Sequence, residues 1–154
     1  MIVWYAQQHP ASCVAACVRM VLAAFGQIWT EQQVRRIIGH TRLGVTLNSA
    51  HTGLIQAGST SLIHDDWGLD DLRDALRRGK NPIVGVERRP LGYQPASHAI
   101  TLVNIRVDMV EALDPLDGPQ PQQYGLGAFE LAWKLSGRQA LVIECPPQLS
   151  SRTV

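Results

Sequence analysis

Apolar residues recur at helical spacing along the first third of the chain. Val14, Cys17, Val18, Val21, Leu22 and Phe25 follow one another three or four positions apart, which places them on one face of a helix. Ser12 stands where an N-cap belongs, and Gly26 stands where such helices commonly end. Thr30 and Gln33 have the spacing of a capping box, and Val34, Ile37 and Ile38 carry a second amphipathic helix to Gly39. Thr46 is the expected cap of a third helix bearing Leu47, Ala50, Leu54 and Ile55.

The pattern then changes period. Residues 60–64 read as a short strand, and 68–78 as an amphipathic helix with Leu69, Leu72 and Leu76 inward, closed by Gly79. From Pro82 onward the apolar runs are short and strand-like, over 82–87, 99–106 and 109–113, with Val107 and Asp108 as a tight connection. Residues 115–127 hold three prolines and three glycines and are expected to form an irregular loop. A brief helix over 128–135 precedes a last strand over 139–145. Helices first and antiparallel strands afterwards predict an α+β domain with its helices on one side of a sheet.

With 154 residues, of which 45% are hydrophobic, the chain suits one core and predicts a single domain over 1–146, with a disordered tail over 147–154. Charged residues make up 18% and the net charge is +1, with no basic cluster of the kind that nucleic acid or an anionic membrane attracts. The three cysteines, Cys13, Cys17 and Cys145, lack CxxC spacing, so neither a disulfide framework nor a zinc ribbon is indicated, and a reducing cytoplasm is the expected location. No apolar run approaches the roughly 18 residues of a membrane span, and the first residues do not read as an export signal.

Attack by sulfur on a carbonyl needs a thiolate, a base, a group that orients the base, and donors for the developing oxyanion. Cys13 falls in the first turn of the first helix, where unpaired N–H groups and the helix dipole favour a thiolate. Its own N–H is one candidate oxyanion donor, and the amide of Gln7, six residues earlier, is a second. His98 opens a strand, and Asp114 ends the next strand after a short turn. Facing ends of neighbouring antiparallel strands lie side by side, so the carboxylate can take the imidazole N–H. Cys17, one turn deeper, reads as packing, and Cys145 as packing or partly exposed. His9 is a rival base and Asp117 a rival acid, the latter better read as a turn residue before Gly118. His40, His51 and His64 read as surface or cap residues. The pairs Asp65-Asp66 and Asp70-Asp71 read as helix-start residues rather than metal ligands.

Two stretches, QQHPASCVAACVRM and SHAITLVNIRVDMVEALDPLDG, resemble the papain-like cysteine peptidases, and within them the C39 group that removes leader peptides from bacteriocin precursors. The first matches a glutamine followed six residues later by a cysteine on an Ala-Cys-x-x-Met-like helix. The second matches a histidine-led strand, a short turn and a strand ending in Asp-Pro-x-x-Gly. The segment GAFELAWK and the closing strand extend the likeness over nearly the whole chain. The resemblance implies a papain-like fold with N-terminal helices packed on a C-terminal antiparallel sheet. It assigns Cys13 as nucleophile, His98 as base, Asp114 as orienting acid and Gln7 as oxyanion donor, with no metal or organic cofactor. The family usually has Asp before and Gly after the cysteine, whereas this chain has Ser12 and Val14.

By the same resemblance the partner is a peptide or protein substrate, cut after a Gly-Gly type site. Relatives are commonly fused to a transporter, so association with a transporter or a larger assembly is implied, and a free-standing chain is the expectation here. The same apparatus serves a deamidase, a transpeptidase or an effector-type protease, and a non-catalytic relative would bind a peptide in the same groove.

Overall fold

A computed structural model describes residues 2–148. The first helix, α1 (Cys13–Ala24), buries Val14, Cys17, Val18, Val21 and Leu22 on the anticipated face. Thr30 caps α2 (Glu31–Ile38) through the full capping box with Gln33, and Gly39 ends it in the left-handed region at φ 74°. Thr46 caps α3 (Leu47–Gln56) by accepting from the Ser49 N–H. These helices meet closely. A Cβ on Gly53 of α3 would strike the Ile37 carbonyl of α2, so only glycine fits there.

Six strands form one antiparallel sheet in the order β1-β6-β2-β3-β4-β5. They are β1 (Thr60–His64), β2 (Ile83–Glu87), β3 (Ser97–Ile105), β4 (Met109–Asp114), β5 (Asp117–Gly125) and β6 (Ala140–Cys145). Alternation along the strands sends Ile83, Ala99, Leu141 and Ile143 into one core with α1, α2 and α3. Val84, Ile100, Leu102 and Val110 go into a second core, where α4 (Leu69–Arg77) contributes Leu72 and α5 (Leu126–Leu135) contributes Phe129 and Trp133. The N-terminal helices thus pack on the sheet as expected, but helices cover both faces rather than one, because the strands are apolar on both sides.

The loop expected over 115–127 is largely strand β5. Its prolines, Pro119 and Pro121, remove ladder donors, and that loss is tolerated because β5 is an edge strand, with β4 as its only neighbour among the described residues. Of the tail expected over 147–154, residues 149–154 lie outside the described ones. Pro147 is buried and its carbonyl accepts from Gln27 Nε2 at 2.8 Å.

Candidate active site

The segment ahead of α1 is bonded to the end of β4 and so joins two parts of the site. Trp4 Nε1 donates to the Asp114 carbonyl at 2.7 Å, and the Gln7 N–H donates to the Pro115 carbonyl at 3.1 Å. Trp4 also lies flat against Gly118, where a Cβ would collide with its indole. The corner that carries Asp114 is therefore held against the strand of chain that leads into Cys13.

Cys13 is the first residue of α1 and is half-buried in the wall of a cleft of about 450 Å³. His98, 7% exposed, is the second residue of β3, and Asp114, 1% exposed, is the last of β4. His98 Nε2 lies 2.7 Å from Asp114 Oδ1, which also accepts from the Leu116 N–H at 2.9 Å. Because Nε2 is held by the carboxylate, Nδ1 is the ring nitrogen left to face the Cys13 thiol, which lines the same cleft and helps to raise the imidazole pKa. The structure thus brings together the three side chains that the sequence places far apart.

Opposed effects set the charge of this group. Burial pushes the His98 pKa down, but the bonds to Asp114 and Cys13 outweigh it and raise the value above 6.5. For Asp114, burial pushes the pKa up, and the His98 bond, the Leu116 N–H and nearby Arg88 reverse it to below 3.8. Arg88 Nη2 is 3.7 Å from Asp114 Oδ2, and its guanidinium sits 4.0 Å over the Tyr93 ring. Sequence reasoning missed Arg88, since an arginine beside Arg89 carries no local sign of facing a buried carboxylate.

Gln7 is placed differently from a free donor. Its Nε2 donates to the carbonyls of His9 at 2.8 Å and Pro10 at 3.1 Å, so both amide hydrogens serve the loop that carries Cys13. Ser12 occupies the N-cap position of α1, but its hydroxyl makes no bond to the helix. It faces the His9 carbonyl at 3.0 Å and Glu31 Oε1 at 3.1 Å instead. Glu31, fully buried at the start of α2, was missed as well. Its place after Thr30 reads as an ordinary helix-start acid, and nothing local reveals that it reaches another loop.

The other candidates sit apart. Cys17 is buried and bonded to the Ala99 carbonyl at 3.5 Å, and burial pushes its thiol well up, whereas Cys145 is exposed. His9 is exposed on the cysteine loop. Asp117 accepts from the Tyr93 hydroxyl at 3.1 Å rather than from His98. His51 bonds Ser61 Oγ at 2.8 Å, His64 stacks on Trp67, and His40 is half-buried. Asp71 accepts from the Gly68 N–H at 2.8 Å, a helix-start role.

The cleft runs from Cys13 and His98 over a floor of small residues. Gly85 and Ala99 are cross-strand partners, and a Cβ on Gly85 would lie 3.1 Å from Ser136 Oγ and 3.8 Å from Leu47 Cδ1. Val14 lines it beside the thiol, and the exposed side chains of Leu43 and Leu116 stand on its rim. No described helix is long and apolar enough to cross a membrane.

A search of curated proteins finds no match. Among solved structures, the peptidase domain of Streptococcus ComA, a bi-functional ABC transporter involved in a quorum-sensing pathway, superposes with a TM-score of 0.75 at 16% identity. That match covers 96% of this chain and 100% of the other. A double glycine motif protease from an AMS/PCAT transporter, solved with its leader peptide, matches with a TM-score of 0.72 at 16% identity, over 96% of this chain and 93% of that one. At such identity these likenesses establish the fold, that of a C39 peptidase domain. A family model described as Peptidase_C39 like matches residues 1–141, a span that includes the cysteine loop, the histidine strand and the Asp114 corner. The chain belongs to the Peptidase_C39 like family.

Proposed function

We propose that this chain is a cysteine peptidase in which Cys13 is the nucleophile, His98 its base, Asp114 the orienting acid, and the Cys13 N–H with Gln7 the oxyanion donors. The observation that carries the reading is the His98 ring held by Asp114 at 2.7 Å, with Cys13 and His98 lining one cleft. In the forward step His98 takes the Cys13 thiol proton, the sulfur adds to the scissile carbonyl carbon and the carbonyl π electrons move to oxygen. His98 then gives its proton to the departing amine as the C–N bond breaks, leaving a thioester on Cys13. Water, deprotonated by His98, hydrolyses the thioester and restores the thiol. Gln7 reaches the oxyanion by releasing one loop carbonyl as substrate enters.

The substrate is a peptide segment with small residues at the cut, of the Gly-Gly type, as on leader peptides. Branched Val14 restricts the space beside the sulfur, while Leu43 and Leu116 on the rim accept apolar neighbours. One of the structural neighbours is itself a double glycine motif protease. A reducing cytoplasm, alongside a transporter or larger assembly, is the setting that suits a free thiol and such a substrate.

The test is digestion of a proteome-derived peptide library by the wild type, Cys13→Ala and His98→Ala, with new amino termini mapped by mass spectrometry. The reading predicts new termini after small residues from the wild type alone. Ammonia release without new termini would replace it with a deamidase. Peptide retention with neither product would replace it with a binding domain.

A further inference from the structure

Glu31 lies on α2, outside the cleft, yet it is fully buried and its carboxyl faces the segment that delivers the nucleophile. Oε1 accepts from the Gln8 N–H at 2.9 Å and faces the Ser12 hydroxyl at 3.1 Å. Ser12 Oγ in turn accepts from the His9 N–H at 3.0 Å. Oε2 is 3.4 Å from Arg35 Nε, one turn along the same helix. A carboxyl is rarely removed from water unless its oxygens find partners, and here Oε1 engages both ends of a five-residue loop while Oε2 faces Arg35.

The two elements of the proposed oxyanion hole flank that loop directly. Gln7 precedes the Gln8 N–H that Glu31 holds, and the Cys13 N–H follows the Ser12 side chain that it also holds. The usual N-cap bond from Ser12 to α1 is given up for this link, which leaves the first N–H groups of the helix without a side-chain acceptor.

We propose that Glu31 is a positioning residue that fixes the Gln7–Cys13 loop so that its donors meet the oxyanion. This inference rests on the peptidase reading above. It predicts that losing Glu31 harms reactions that build an oxyanion and spares those that do not.

Two small reagents separate these. With p-nitrophenyl acetate, the Cys13 sulfur adds to the ester carbonyl, the oxyanion forms, and p-nitrophenolate leaves as the acyl–sulfur bond is completed. With iodoacetamide, the same sulfur displaces iodide from carbon and no oxyanion arises. Glu31→Met fills a similar volume without an acceptor, and Glu31→Gln keeps Oε1. We expect Glu31→Met to slow acylation about tenfold, a fraction of what deleting a whole oxyanion donor costs, while alkylation of Cys13 changes less than about twofold. Glu31→Gln should restore acylation to within about threefold of the wild type, because the acceptor geometry survives.

Equal loss of both reactions, or loss of neither, would overturn the inference. If Glu31→Met does not melt cooperatively, Ser12→Ala decides by the same ratio, since it removes the hydroxyl through which Glu31 holds this end of the loop and leaves Glu31 in place. Should wild-type Cys13 alkylate no faster than Cys145, the peptidase reading itself fails, and the inference falls with it.

Discussion

His98 is the residue at which burial and bonding oppose each other most directly, and bonding prevails. Nuclear magnetic resonance titration of the His98 ring should therefore give a midpoint above 6.5. In Asp114→Asn and in Cys13→Ala the midpoint should fall, because each change deletes a partner that favours the imidazolium. A midpoint indifferent to both would mean that neither side chain faces the ring in solution. The proximity of Cys13, His98 and Asp114 was legible in the sequence because each stands at the boundary of an element whose caps or periodicity mark it. Glu31 and Arg88 were not legible, since what distinguishes them is burial against distant chain. The conformation of Gln7 was likewise hidden, because carbonyls two and three residues away compete for its amide.

Among the elements, the cleft depends on what β2 and β3 leave out. Gly85→Val would put a branched side chain into the space between Ser136 and Leu47, over the floor that Gly85 shares with Ala99. Peptide cleavage should drop about tenfold or more as the substrate backbone is displaced, while iodoacetamide, which needs little of the cleft, should still reach Cys13 at close to the wild-type rate. Unchanged peptide turnover would show that substrate does not cross this floor. Gly118→Ala acts away from the cleft lining, by forcing Trp4 off the start of β5. A cost of about 1–3 kcal/mol in urea unfolding is expected, the range of an overpacked site. Helices α1, α2 and α3 were readable because caps and a 3.6-residue period agree. Strand β5 was not, because prolines usually signal a loop and only its edge position makes them tolerable.

For the whole molecule, the buried pair of His98 and Asp114 links stability to pH with a definite sign. Asp114 titrates lower in the fold than in the unfolded chain, so its contribution is present above its ordinary value of 3.8 and is lost as pH falls through the depressed folded value. His98 titrates higher in the fold, so its contribution is full below 6.5 and is lost as pH rises through the raised value. Asp114→Asn should cost about 1–3 kcal/mol between these limits, and the gap from wild type should close as the pH falls below 3.8. A gap constant with pH would place the carboxyl outside the linkage. The α+β architecture was legible as helices followed by strands. That both faces of the sheet are covered was not, since alternating burial on two apolar faces looks the same along a strand as one continuous run.

Activation of Cys13 by His98 is read out by iodoacetamide alkylation at neutral pH, with each modified cysteine located by mass spectrometry and His98→Ala run beside the wild type. Cys13 should be labelled ahead of exposed Cys145, and buried Cys17 should stay unlabelled. In His98→Ala the Cys13 rate should fall about tenfold or more, with Cys145 unchanged. Equal Cys13 rates in the two proteins would mean that His98 does not activate the thiol.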